Sequence, residues 1–332
     1  FTVRVGTVFE HCRIPLHKCL QAVHLIASSK KGMSAHQLHR ILEIQYKSAW
    51  FLAHRIREAM RDGVLAPMGG NGKIVESDET YIGKQFGQRA KGGAATKNIV
   101  LTLVERGGSA RSFHIDSTSI ADIAPIIFQN VRRESRLMTD EARHYMEIGR
   151  EFERHQAVNH GREEYVRYEG ERVITTNTVE GYYSIFKRGM KGVYQHCAEK
   201  HLHRYLSEFD FRYSNRVALG VDDQDRADKI IKGMVGKRLT YRSPTGSEQA
   251  GIQGGKAMAS SPLQGTKEGQ GLSPAQPQRL HAEIKKLLLR KGPKLGDMVD
   301  RVAVDVKVAG FIREYLRHVE ADPIIEGDKL VD

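Results

Sequence analysis

The chain of 332 residues is 40% hydrophobic and 28% charged, a composition that supplies a core for each of two or three units and excludes wholesale disorder. Lys and Arg number 52 against 40 Asp and Glu, so the formal net charge is +12, and an excess of that sign points to a polyanionic partner, of which nucleic acid is the usual one. There is no apolar run of about eighteen residues and no basic-then-apolar leader, so the expectation is a cytoplasmic protein with no membrane partner.

Cys12, Cys19 and Cys197 show neither a CxxC pair nor a Cys/His zinc spacing, which predicts buried, reduced thiols. Ser34-Ala-His-Gln37 has the form of a capping box, in which a hydroxyl satisfies an early helix amide and Gln reaches back, so a helix is predicted to start there. It carries Leu38 and Leu42, breaks at 43–45 and restarts over 46–60 with Ala49, Leu52, Ala53 and Ile56 on one face. Two short helices and a tight turn within residues 1–66 suggest a helix-turn-helix, whose second helix offers Lys47, Ser48, His54, Arg55 and Arg57 to phosphates or base edges. An ordinary helical hairpin with a solvated basic face fits the same pattern. Trp50, the only tryptophan, is expected in the core.

From Lys73 the hydrophobic period becomes two, predicting strands at 73–82, 98–105 and 111–115, then a helix capped within 117–122 and a short strand at 136–140. The order β-β-β-α-β lets the last strand pair parallel to the first through a helical crossover, bringing Asp78 and Asp140 to one sheet edge. Neighbouring carboxylates repel unless a proton or cation lies between them, and Mg²⁺ or Mn²⁺ suits oxygen ligands. The bland reading is two acids solvating loops. Lys84, Arg89, Lys91 and Lys97 sit in a glycine-rich loop between the first two strands, long enough to fold over a nucleic-acid backbone or merely to face solvent.

Within 175–189, Asn177 is placed to cap a helix on which Glu180, Tyr183, Ser184 and Lys187 share one face. Asn177-x-x-Glu180 is also a capping box, a role that would occupy Glu180 at its own helix start. The stripe Leu202, Tyr205, Leu206, Phe209 and Tyr213 is most simply core. His144, His155 and His160 carry no zinc spacing, and Gly69-Gly-Asn-Gly-Lys73 lacks the phosphate-loop spacing, which argues against an ATPase. Of the net charge, +11 falls on residues 1–242, so the polyanion-facing part lies there. Residues 243–277 mix Gly and Pro and read as a flexible linker, and 278–332 carry apolar residues at helical spacing.

Several phrases stand out together: Ile14-Pro-Leu-His-Lys18, Ser28-Ser-Lys-Lys-Gly-Met-Ser-Ala-His-Gln-Leu-His-Arg40, Ala49-Trp-Phe-Leu-Ala-His-Arg-Ile-Arg-Glu-Ala-Met60, Glu76-Ser-Asp-Glu-Thr-Tyr-Ile-Gly-Lys84, Asn177-Thr-Val-Glu-Gly-Tyr-Tyr-Ser184 and Lys200-His-Leu-His-Arg-Tyr-Leu-Ser-Glu-Phe209. Over roughly residues 1–216 they resemble the RNase H-like DDE transposases of bacterial insertion sequences, specifically the insertion sequence 1595 family. The resemblance implies an α/β fold: an RNase H-like mixed sheet with flanking helices over 67–242, preceded by the helix-turn-helix region. The helical stretch at 278–332 matches nothing in that family and stands as a small appendage of unknown role.

The resemblance further implies that Asp78, Asp140 and Glu180 hold two Mg²⁺ (or Mn²⁺), with Asn177 a rival for the third place, and that Lys187, with Arg188 beside it, contacts the DNA end. The activity implied is cleavage at the ends of a mobile element and transfer of the freed 3′-hydroxyl to target DNA. The partners are double-stranded DNA, both element ends and target, and further copies of the chain in a synaptic complex at the nucleoid. Members of the family are similar in carrying a zinc ribbon ahead of the helix-turn-helix, and the sequence here begins past the point where its cysteines would lie. A nuclease or resolvase without strand transfer, and an inactive DNA-binding relic, are the alternatives; intact Asp78, Asp140 and Glu180 argue against the relic.

Overall fold

A computed structural model describes residues 4–63, 65–85, 96–159, 161, 164, 166–170 and 172–240. Arg89, Lys91, His160, the linker at 243–277 and the helical stretch at 278–332 lie outside the described residues.

The chain begins with three helices, α1 (Leu16–Ser28), α2 (Ala35–Leu42) and α3 (Tyr46–Met60). Ser34 caps α2 by accepting from the Gln37 amide at 3.1 Å, as its sequence predicts, and Glu43 in the left-handed region (φ +49) turns the chain into α3. Leu38, Leu52, Ala53 and Ile56 pack with Ile26 of α1. The same core takes in Ile230 of the last described helix, α8 (Asp223–Lys232), which lies against α1 and α3. This helical core is therefore built from both ends of the described chain, which a division at residue 66 does not anticipate.

Helix α3 differs from its expected role. Lys47 is exposed and Ser48 half-buried at its first turn, but His54, Arg55 and Arg57 are 1%, 6% and 3% exposed and cannot present themselves to DNA. The reason is that α3 has no solvated polar side along its second half: α7 (Leu202–Ser214) covers it on one side and α8 on another. His54 lies among the rings of Trp50, His201 and Tyr205, with Trp50 at 4.2 Å. Arg57 stacks over Tyr205 at 4.2 Å and pairs with Glu208 at 2.7 Å, and Arg55 lies over Phe51 at 4.8 Å.

Burial, then the neighbouring charges of Arg57, His201, Arg204 and His203, pushes His54 down to about 2, so its ring is neutral in the fold. The unfolded chain takes up a proton near pH 6.5 and the folded chain does not. Stability therefore falls as pH drops from about 6.5 toward 2, with His54 alone contributing about 2 kcal/mol of loss by about pH 5. His54→Phe keeps a ring and removes two nitrogens that have no hydrogen-bond partner among the described residues. It is expected to make the unfolding midpoint less dependent on pH between about 7 and 5; a slope equal to that of the wild type would remove His54 from the acid response.

The sheet has the order β3-β2-β1-β4-β5. β1 (Ile74–Ile82), β2 (Asn98–Glu105) and β3 (Ala110–Ile115) form the expected antiparallel meander. After α4 (Ile120–Asn130), capped by Ser119, β4 (Arg136–Asp140) returns parallel to β1 with Glu76 opposite Met138. Continuing that register puts Asp78 level with Asp140. β5 (Arg154–Val158) adds a parallel edge, and β6 (Val166–Glu169) and β7 (Arg172–Thr175) form a separate hairpin. These last three strands are short and rich in Arg, His and Gln, without the alternation that exposes a strand in sequence.

Helices cover both faces. Val75, Leu101, Leu103 and Leu137 face α4 and α5 (Arg143–Ile148), while Ile82, Val100 and Val104 face α6 (Asn177–Gly189) and α7. This is an α/β, RNase H-like core of mixed strand direction with flanking helices. Among the described residues no helix is long and apolar enough to cross a membrane.

Candidate active site

Period-two alternation in β1 sends Glu76 and Asp78 to the α6 face, while Ser77 bonds Tyr145 of α5 on the other face at 3.1 Å. Glu76 is fully buried, and its carboxylate accepts from the backbone amides of Thr178 at 2.8 Å and Val179 at 2.9 Å, from the Thr178 hydroxyl at 2.8 Å and from Arg106 Nε at 2.5 Å. A strand carboxylate thus satisfies the open amides of the α6 N-terminus and meets its positive dipole end. Asn177 does not cap this helix. Thr176 occupies that position, and Asn177 is the exposed first helical residue, its own amide donating to Thr175 Oγ1 at 3.1 Å. Glu180 is held instead by the Thr176 hydroxyl, which donates to its Oε1 at 3.0 Å.

Glu76→Ala would leave two helix amides and the Nε of Arg106 without their acceptor, while the rest of that guanidinium keeps the Val173 and Thr175 carbonyls, a cost of about 3 kcal/mol. The expected result is a lower unfolding midpoint together with faster amide hydrogen exchange at Thr178 and Val179. Unchanged exchange there would show that α6 is held by its apolar face alone.

With α6 so anchored, Asp78, Glu79, Thr80, Glu180, Tyr183, Ser184 and Lys187 line an open cleft of about 430 Å³. Lys187 holds its ammonium 5.8 Å from the Tyr183 ring centre, and Tyr183 donates to the backbone oxygen of Asp78, tying α6 to β1. Asp140 ends β4 with its Oδ1 accepting from the Ala142 amide at 3.0 Å. Burial first, then the charges of Glu79, Asp140 and Glu180, pushes Asp78 up to about 7 against the pull of the Glu79 amide, which donates to its Oδ1 at 2.8 Å. A carboxyl raised by burial among like charges is one that a cation would stabilise in its ionised form. The oxygen-only donors suit Mg²⁺ or Mn²⁺. As placed, no three His, Cys, Asp or Glu side chains among the described residues stand close enough together to hold a metal ion.

Three residues of this region give no clear sign in the sequence. Glu79 accepts from Tyr145 at 2.8 Å and meets His144 at 3.1 Å, which raises the His144 pKa through that hydrogen bond. The doublet Asp78-Glu79 was the available signal, since adjacent strand residues point to opposite faces and only one of them meets α6. Of the expected DNA contacts, Lys84 and Lys97 are exposed at the two ends of the loop after β1, and Arg188 is exposed on α6 with its Nε donating to the Ser184 carbonyl at 3.0 Å.

Residues 69–214 match the model of the ISXO2-like transposase domain. That segment belongs to the insertion sequence 1595 family of transposases. The match holds the whole sheet, both cleft-forming elements and α7, so the cleft lies within the transposase domain. A search of curated proteins returned no match.

Proposed function

We propose that this transposase binds the ends of a mobile DNA element, cleaves them with the help of divalent metal and transfers the freed 3′-hydroxyl into target DNA. The observation that carries the reading is the gathering of Asp78, Glu180 and Lys187 in one cleft, with the Asp140 charge acting on Asp78, inside a transposase domain. Asp78, Asp140 and Glu180 would hold two Mg²⁺ (or Mn²⁺) only by closing up from the separation they have here. When bound, these ions supply Lewis-acid activation of the attacking water or hydroxyl and neutralise charge on the phosphate and leaving oxygen.

The protein's own groups do the placing. Glu76 fixes the start of α6, Thr176 orients Glu180, and Lys187 offers a point charge to a backbone phosphate at the cleft. Glu180 takes the third place in preference to Asn177 because it lines the cleft, whereas Asn177 is exposed at the helix start. Lys47, Lys84, Lys97 and Arg188 extend the cationic surface for double-stranded DNA. Two ends must be brought together for transposition, so a homo-oligomeric synaptic complex on chromosomal DNA in the cytoplasm is part of the proposal.

The test uses the full chain with labelled duplexes carrying the DNA that flanks its own gene and a target plasmid, with Mg²⁺, Mn²⁺ or a chelator. Metal-dependent nicking at a fixed end followed by joining to the plasmid is the expected result. Nicking without joining would replace the proposal with a nuclease or resolvase, and binding without nicking would replace it with a DNA-binding protein.

A further inference from the structure

Away from the cleft, the turn before α1 brings two cysteines together. His11 adopts a left-handed backbone (φ +55), and the Sγ of Cys12 comes to rest 3.8 Å from the Sγ of Cys19 in the first turns of α1. Cys12 is partly exposed and Cys19 is buried. The guanidinium of Arg55, 6% exposed, completes the site: its Nε and Nη1 have no hydrogen-bond partner among the described residues. The hydrogen bond from the Cys19 thiol, and then the Arg55 and Arg4 charges, outweigh burial and pull Cys12 down to about 6, while Cys19 is raised. Cys197 has no such setting, and burial pushes it up to about 12.

We propose that Cys12 and Cys19 form a peroxide-sensitive dithiol, with Cys12 the attacking sulfur and Cys19 the resolving one. The arrangement is that of a redox-active pair: a solvent-reachable sulfur beside a buried cation, with a second thiol in contact. In the first step the Cys12 thiolate attacks one oxygen of hydrogen peroxide. The O–O bond breaks, and the departing hydroxide takes a proton to leave as water, giving a sulfenic acid. In the second step the Cys19 sulfur attacks the Cys12 sulfur, its proton joins the leaving hydroxide as water, and the disulfide forms. Two thiols and one peroxide become one disulfide and two waters. The product would fasten the amino-terminal turn, which bridges to Val235 through Thr7, onto α1.

The test treats the full chain with a small excess of hydrogen peroxide near neutral pH, alkylates the remaining thiols after denaturation and maps the peptides. The expected result is an intramolecular Cys12–Cys19 disulfide, reversed by dithiothreitol, with Cys197 recovered as a free thiol. Without peroxide, alkylation of native protein should be roughly tenfold or more faster at Cys12 than at Cys197. In Cys19→Ser the same treatment should leave a Cys12 sulfenic acid that dimedone captures, and in Cys12→Ser Cys19 should stay a thiol. Oxidation of Cys197 as fast as Cys12, disulfides only between chains, or oxidised Cys12 beside reduced Cys19 in the wild type would each overturn the proposal. The wild-type peptide map decides by itself, so neither serine variant has to fold for the proposal to fail.

Discussion

Asp78→Asn is expected to lower end cleavage by roughly 10³-fold or more, the effect of withdrawing about 4 kcal/mol of metal-borne stabilisation from the transition state. The fold should survive, because the amide oxygen of Asn can still accept from the Glu79 amide that now donates to Asp78 at 2.8 Å. Without metal the variant should be at least as stable as the wild type, since it no longer buries a carboxyl among Glu79, Asp140 and Glu180. Adding Mn²⁺ should raise the melting midpoint of the wild type and leave that of Asp78→Asn unmoved, a readout of metal binding independent of catalysis. Affinity for duplex DNA should change little, because the proposed phosphate contacts are assigned to Lys187 and the other cations and not to Asp78. Wild-type cleavage in the variant, or an equal Mn²⁺ response, would remove Asp78 from the mechanism.

Glu208→Gln should produce the largest loss of stability, about 3–5 kcal/mol. Glu208 is fully buried and meets Arg57 at 2.7 Å, Arg212 at 2.5 Å and the Tyr194 hydroxyl at 2.6 Å. Burial pushes its carboxyl up, but the Arg57 and Arg212 guanidiniums and the Tyr194 hydroxyl outweigh this and hold it down to about 2. An uncharged amide there strands the Arg57 guanidinium, which is 3% exposed, without a counter-charge. Because the carboxyl is depressed in the fold, its stabilisation is present above its ordinary titration range and is lost as pH falls toward about 2. Denaturant unfolding checks both points. Arg57→Met combined with Glu208→Leu should recover much of the loss, and a strictly additive double variant would show that the two side chains do not act as a pair.

The pair also marks what α7 does. Arg57 and Glu208 join the helical region to the transposase domain across 151 residues of sequence, and Arg212 adds a bond to the Ser29 carbonyl. Any DNA held by the exposed first turn of α3 would thereby be held by an element bonded to α7 of the domain that contains the cleft.

The local devices were readable residue by residue. Ser34 caps α2, strand β4 has the expected bounds Arg136–Asp140, and the crossover returns parallel to β1, because caps, period-two alternation and connection handedness act over a few neighbouring residues. The elements that carry Asp78 and Glu180 to the cleft were legible for the same reason, each being strongly patterned.

The sequence by itself therefore determined the meander, the crossover and the elements that carry the acids, along with the net positive charge. Only the tertiary structure decided that His54, Arg55 and Arg57 are core rather than recognition surface, since α7 and α8 arrive from far along the chain to cover them. Only it decided that α6 is capped by Glu76 from 102 residues away and not by Asn177, leaving Glu180 to face the cleft. Caps and periods are set by neighbours a few residues apart. Which polar face is buried, and which carboxylate faces the cleft, is set by whatever packs against it, and that partner has no local signature.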